Sequence, residues 1–130
     1  MEKRFDEWNE LKKQLEKNSR MHIFHEKEIW WYAAGENIGS EVSGKNVRFS
    51  RPILILRKYG NASFFGIPLS TQYHEGRWYE YVLVKGEMRT VMLSQAGSFS
   101  SYRLYERIDR ISPAEHNRIC RALTLLLFKK

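Results

Sequence analysis

The sequence holds a single cysteine, Cys120, which excludes an intrachain disulfide and any zinc site built from several cysteines. A reducing cytoplasm is the expected setting. No apolar run approaches the roughly 18 residues that suggest a membrane span. The opening MEKRFDEWNE carries acids and no apolar stretch, which argues against a secretory leader. His22, His25, His74 and His116 lack ligand spacing among themselves, so neither a metal nor a cofactor is expected. No internal repeat or low-complexity tract is visible. Acidic residues are scarce: 15 against 22 basic ones, a net charge of +7 and a pI near 9.6. Such an excess favours a polyanionic partner and speeds the encounter with it. Charge alone supports nucleic acid only modestly, because a merely soluble basic domain has the same balance.

What is present suits one compact domain. The 130 residues are 42% apolar and 14% aromatic, enough for a core. Phe5, Trp8, Leu11 and Leu15 recur at helical spacing and predict an amphipathic helix over 2–18. The aromatic stretch EIWWYA (28–33) reads as the first strand. A polar, glycine-punctuated loop over 35–50 follows, long enough to suggest function. PILILR (52–57) reads as a short strand buried on both faces. Tyr59-Gly60-Asn61 carries turn chemistry, and 63–69 is its partner strand. Further strands are predicted over 78–85 and 90–93, joined by a turn at Lys85-Gly86-Glu87, with a last short one within 104–111. Ser112-Pro113-Ala114-Glu115 then opens a capped helix whose apolar face is Ile119, Cys120, Leu123, Leu126 and Leu127. Cys120 is thereby a small core residue. The pattern is mainly β: a strongly curved antiparallel sheet or small barrel with a helix at each end.

Several segments in order carry a more specific signal. Gly39-Ser40-Glu41 lies in the long loop, and Gly44 follows. Arg51-Pro52 leads into the apolar strand. Pro68-Leu69-Ser70-Thr71 ends its partner. Leu93-Ser94-Gln95 and Arg103-Leu104 come later, before the closing helix. Taken together over about 28–127, these resemble the MazF/PemK/Kid family of bacterial toxin endoribonucleases. The resemblance implies an SH3-like barrel of the MazF/CcdB type over 28–130, with 1–27 as a helical extension. It also implies metal-independent cleavage of single-stranded RNA, a homodimer with the RNA groove across its interface, and an antitoxin whose flexible tail covers that groove. An acidic tail would suit this basic surface.

The chain departs from the family pattern at defined positions. The loop between Gly44 and Arg51 is longer than its short form. Ser70 stands where many members have threonine. Ser40 stands where Kid-like members have histidine, and Gly97 and Ser100 fall where they have arginine and aspartate. The chemical burden therefore shifts to Arg51 and Ser70.

RNA cleavage of this kind uses the ribose 2′-hydroxyl as nucleophile, so the protein must move protons and stabilise phosphoryl charge. A guanidinium suits the second task, and Pro52 restricts the backbone of Arg51. On spacing alone Arg51 is a solvated strand-end charge. Beside the Gly-x-Glu and Ser-Thr signals it becomes a cation aimed at phosphate. Ser70 or Thr71 can donate to a phosphoryl oxygen or relay a proton, or simply cap the loop. Glu41 either orients an arginine or is a surface carboxylate. Lys45, Arg48 and Arg77 are candidate phosphate contacts, and His74 is a further contact candidate. Trp30, Trp31, Tyr73, Trp78 and Tyr79 offer stacking surfaces, although alternation turns at least one of Trp30 and Trp31 inward. Two other readings share the scaffold: a gyrase-poisoning module like CcdB, and a silent member that only binds antitoxin.

Overall fold

A computed structural model describes residues 22–33 and 50–129. The predicted helix over 2–18 and the loop residues Ser40, Glu41, Lys45 and Arg48 lie outside the described residues. Among the described residues seven strands and one α-helix follow in order: β1 (Glu28–Ala33), β2 (Ser50–Lys58), β3 (Ser63–Ser70), β4 (Tyr79–Val84), β5 (Glu87–Met92), β6 (Gly97–Ser100), β7 (Leu104–Arg110) and α1 (Pro113–Phe128). All strand pairs are antiparallel. The path across the sheet runs β4-β5-β3-β2-β1-β7. β3 pairs β2 along one edge. Its other edge is divided, with β6 on its first half and β5 on its last two residues. That division curls the sheet into a half-barrel, in keeping with the expected strongly curved antiparallel sheet.

β2 explains why PILILR shows no polar alternation. Ile53, Leu54, Ile55 and Leu56 are all buried. Leu54 and Leu56 join Ile29, Ile67, Leu69, Val91, Ile119 and Leu123 in a core closed by α1. Ile53 and Ile55 point the other way, into Phe24, Trp30, Phe64 and Leu104. A strand covered on both faces reads as a continuous apolar run. Each fully buried aliphatic side chain contributes about 1.5–3 kcal/mol.

The element boundaries shift from the expected ones for local reasons. β2 begins at Ser50, so Arg51 lies within the strand, opposite Tyr32 of β1. β5 starts at Glu87 because Lys85 and Gly86 both take positive φ, the geometry of a tight two-residue hairpin. β6 was not expected. Its four residues, GSFS, are too short and polar to register as a strand, and they are held by pairing with β3. The α1 capping box forms as predicted. Ser112 Oγ accepts from Glu115 N at 3.0 Å, and Ser112 N donates to Glu115 Oε1 at 2.9 Å. On the helix face, Ile119 and Leu123 are buried and Cys120 and Leu126 pack against the core. Leu127 was expected there but faces solvent with Leu125 and Phe128, since burial stops at Leu126 in the last turn.

Residues ahead of β1 are tied to the sheet. Lys27 N donates to Ile55 O, Ile111 N donates to Lys27 O, and Phe24 is in the core. Glu28 is the buried acid at this junction. Its Oε1 accepts from Trp30 Nε1 at 2.9 Å and from His25 N at 2.8 Å, and its Oε2 lies 3.3 Å from Arg107 Nε. Burial alone would raise its pKa. The hydrogen bonds from Trp30 and His25, with the Arg107 charge, outweigh that and hold the carboxyl below its ordinary value.

Two predictions follow from this packing. An ionised Glu28 contributes stability that is complete above the ordinary carboxylate pKa and is lost as pH falls through the lowered folded-state value. Glu28→Ala orphans the buried Trp30 Nε1 donor and is expected to cost about 1–3 kcal/mol at neutral pH in urea unfolding. The gap between the two proteins should close in acid; a gap that stays constant to low pH contradicts the linkage. At Gly66, a Cβ would sit 2.8 Å from Leu54 O and 2.7 Å from the Phe64 ring. Gly66→Ala should therefore destabilise by about 1–3 kcal/mol, and an unchanged urea midpoint would show that β2 and β3 can separate there.

Candidate functional site

The sheet brings two distant motifs to one place. β2 begins where β3 ends, because the strands run antiparallel with Ile53 opposite Pro68. Extending that register outward sets Arg51 opposite Ser70. β1 lies on the far side of β2 with Trp31 opposite Pro52. The 3-10 turn Leu93–Gln95, after β5, closes the remaining side.

The result is an open cleft of about 470 Å³. Trp31, Pro52, Leu69 and Met92 form its apolar walls, and Ser50, Arg51, Ser70, Thr71, Gln72, His74 and Gln95 supply polar groups. Of the expected site residues, Arg51, Ser70, Thr71 and His74 thus share one cavity. Arg77 does not line it. Its guanidinium lies 5.5 Å over the Trp78 ring on the same connecting loop. Glu41, Lys45 and Arg48 lie outside the described residues.

Each polar group is placed by an identifiable contact. Arg51 is exposed, and its Nη1 donates to Gln95 Oε1 at 3.4 Å, a long bond that leaves the other guanidinium donors for a ligand. Ser70 Oγ accepts from Gln72 N at 3.0 Å, a local turn that fixes the hydroxyl oxygen. Its proton has no acceptor among the described residues. Gln72 O in turn accepts from the buried Thr90 Oγ1 at 2.8 Å, which pins the loop to β5. Ser50 Oγ lies 2.7 Å from the Tyr105 hydroxyl.

The loop after Ser70 is braced by aromatic stacking. The His74 and Tyr79 rings lie 4.9 Å apart at 15°, and those of Tyr73 and Tyr81 lie 5.6 Å apart at 18°. The Tyr81 hydroxyl donates to His74 O. Tyr73 donates to Glu75 Oε2 at 3.0 Å, and that carboxylate pushes the phenol up to about 12.

The sequence offered Trp31 as a stacking surface but did not assign Gln72, Met92 or Gln95 to the site. Gln95 had a signal in Leu93-Ser94-Gln95, but only the fold shows that its amide meets Arg51. Trp30 is the buried partner of the Trp30–Trp31 pair, which leaves Trp31 for the cleft wall. Gly97 and Ser100 fall on β6 opposite Gly66 and Ser63, so Ser100 sits at the end of β3 remote from Ser70. Among the described residues, no group of three His, Cys, Asp or Glu side chains could hold a metal ion. No described helix is long and apolar enough to cross a membrane.

The arrangement offers an anion a guanidinium, a free hydroxyl proton and amide groups beside apolar walls. Known proteins share both the sequence pattern and the fold. Residues 25–127 match the model of the PemK-like, MazF-like toxins of type II toxin–antitoxin systems. No curated protein is matched by sequence. An endoribonuclease in complex with its cognate antitoxin, from a mycobacterial species, superposes with a TM-score of 0.63 at 14% identity, over 83% of this chain and 98% of that one. The Mycobacterium tuberculosis toxin MazF-mt6 superposes with a TM-score of 0.53 at 14% identity, over 60% and 86% respectively. At that identity the two structures speak for the fold, while the sequence match spans most of the chain. The chain belongs to the PemK-like, MazF-like family of type II toxin–antitoxin toxins.

Proposed function

We propose that this toxin is a metal-independent endoribonuclease that cleaves single-stranded RNA. The reading rests above all on the β2–β3 register, which sets Arg51 opposite Ser70 at the mouth of one cleft. In the proposed reaction the ribose 2′-hydroxyl attacks the adjacent phosphorus and the 5′-oxygen leaves. Negative charge grows on the non-bridging oxygens. Arg51 donates to them through the guanidinium face not engaged by Gln95. Ser70 donates its hydroxyl proton to a phosphoryl oxygen, while its oxygen is held by the Gln72 amide. Thr71, next along the exposed loop, supports or replaces that donor.

The flanking RNA fits the surroundings. Trp31 offers an apolar wall for a base, and the Arg77–Trp78 pair offers a cation and a stacking plane further along the loop that carries Thr71 and His74. Lys45, Arg48 and Glu41 belong to the same proposal from their place in the long loop of the sequence. The mycobacterial relative bound to its antitoxin supports a protein partner for this chain as well. With +7 net charge here, an acidic, flexible antitoxin tail is the complementary inhibitor. A homodimer with its RNA groove at the interface completes the assembly.

The test is single-turnover cleavage of a long single-stranded RNA by the pure protein in EDTA. Cutting should persist, leaving a 2′,3′-cyclic phosphate and a 5′-hydroxyl. Arg51→Ala, an exposed position whose truncation should spare the fold, is expected to slow cleavage by about 10²–10³-fold. Ser70→Ala should lower the rate strongly and RNA affinity much less. Chelator-sensitive cutting that leaves a 5′-phosphate, or parental rates in a folded Arg51→Ala protein, would overturn the assignment.

A further inference from the structure

Cleavage by the 2′-hydroxyl moves two protons. One leaves the 2′-oxygen as its bond to phosphorus forms. One must reach the 5′-oxygen as its bond to phosphorus breaks. Among the described side chains lining the cleft, only Arg51 and His74 are ionisable. A guanidinium keeps its protons throughout the physiological range, so Arg51 can stabilise charge but exchanges neither proton. An imidazole is the side chain chemically suited to such exchange near neutral pH.

We infer that His74 is the proton-transfer residue of this cleft, a catalytic role beyond substrate contact. The inference rests on the endoribonuclease reading and adds to it the group that moves the proton. Its ring takes the proton from the 2′-oxygen or delivers one to the 5′-oxygen, and water handles the other. The overall step gains and loses no proton. It yields the cyclic phosphate and the free 5′-hydroxyl.

The fold presents this ring in a usable way. Tyr79 of β4 covers one face at 4.9 Å, nearly parallel, which sets the ring plane. The Tyr81 hydroxyl, also from β4, holds the His74 backbone carbonyl. Neither ring nitrogen is hydrogen-bonded among the described residues, so both edges are available to RNA. Among the described residues, Arg51 shares the cleft from β2 and Glu75 is adjacent in the loop. Glu75 accepts from the Tyr73 hydroxyl.

Three proteins test the inference in the same single-turnover RNA assay: the parent chain, His74→Gln and His74→Ala. Glutamine keeps hydrogen-bonding capacity but exchanges no proton. Both variants should retain the parental fold and RNA binding while losing about 10²–10⁴-fold in rate. Imidazole added to His74→Ala should restore cleavage in proportion to its concentration. Parental cleavage by either variant overturns the inference, because His74 would then be at most a contact. A slow His74→Ala protein that binds RNA but ignores added imidazole overturns it too. If the parent itself leaves RNA intact, the endoribonuclease reading falls and this inference with it. If the parent cuts and His74→Ala cuts equally fast, only the inference falls.

Discussion

Burial of β2 on both faces is the constraint on which the rest of the structure depends. Leu54 and Leu56 fill the core beneath α1, and Ile53 and Ile55 fill the cluster around Phe64. A slip of one residue against β3 would exchange these two sets and leave both clusters misfilled. The register is therefore fixed by packing along the whole strand. Arg51 and Ser70 inherit their alignment from it. Neither needs a direct contact with the other to arrive at the same cleft.

The surroundings divide the work between rigid and adjustable parts. Arg51 stands on a strand whose following residues are immobilised in the core, so its backbone is preorganised while its side chain reaches into solvent. Ser70 closes β3, and its oxygen is fixed by the next turn of chain. Beyond it the loop could wander, but Thr90 anchors Gln72 and two stacked pairs anchor Tyr73 and His74. Preorganised donors contribute more to a transition state than donors that must be ordered during the reaction. The cleft is polar where phosphate charge would develop and apolar at Trp31, Pro52, Leu69 and Met92, where a base or sugar face could lie.

Much of this was legible in the sequence, and the reasons differ by element. The β2 run announced its burial because no polar residue interrupts Ile53–Leu56. The α1 start was legible because capping chemistry is local: Ser112, Pro113 and Glu115 suffice. The Lys85-Gly86 turn was legible for the same reason. β6 was not, since GSFS has no strand character of its own and is held by a neighbour more than 30 residues away. In the site, Arg51 and Ser70 carried motif signals. Trp31 was one of several possible stacking surfaces until the fold buried Trp30 and left Trp31 on the cleft wall. Gln95 acquired its role through the turn that carries its amide to Arg51, which periodicity along one strand does not encode. The exposure of Leu127 has a similar origin, because helical spacing fixes its angle on α1 but not where the core beneath it ends.

The central claim is that RNA occupies the cleft between β2, β3 and the loop after Ser70. The most direct measurement uses a single-stranded RNA with a 2′-deoxy nucleotide at the scissile position, which binds but lacks the nucleophile. Titrated into isotope-labelled protein, it should shift the amide signals of Ser70, Thr71, Gln72, His74 and Gln95 and the side-chain signal of Arg51 together. Shifts confined to α1 or to the β6 edge, with these residues unmoved, would contradict the account.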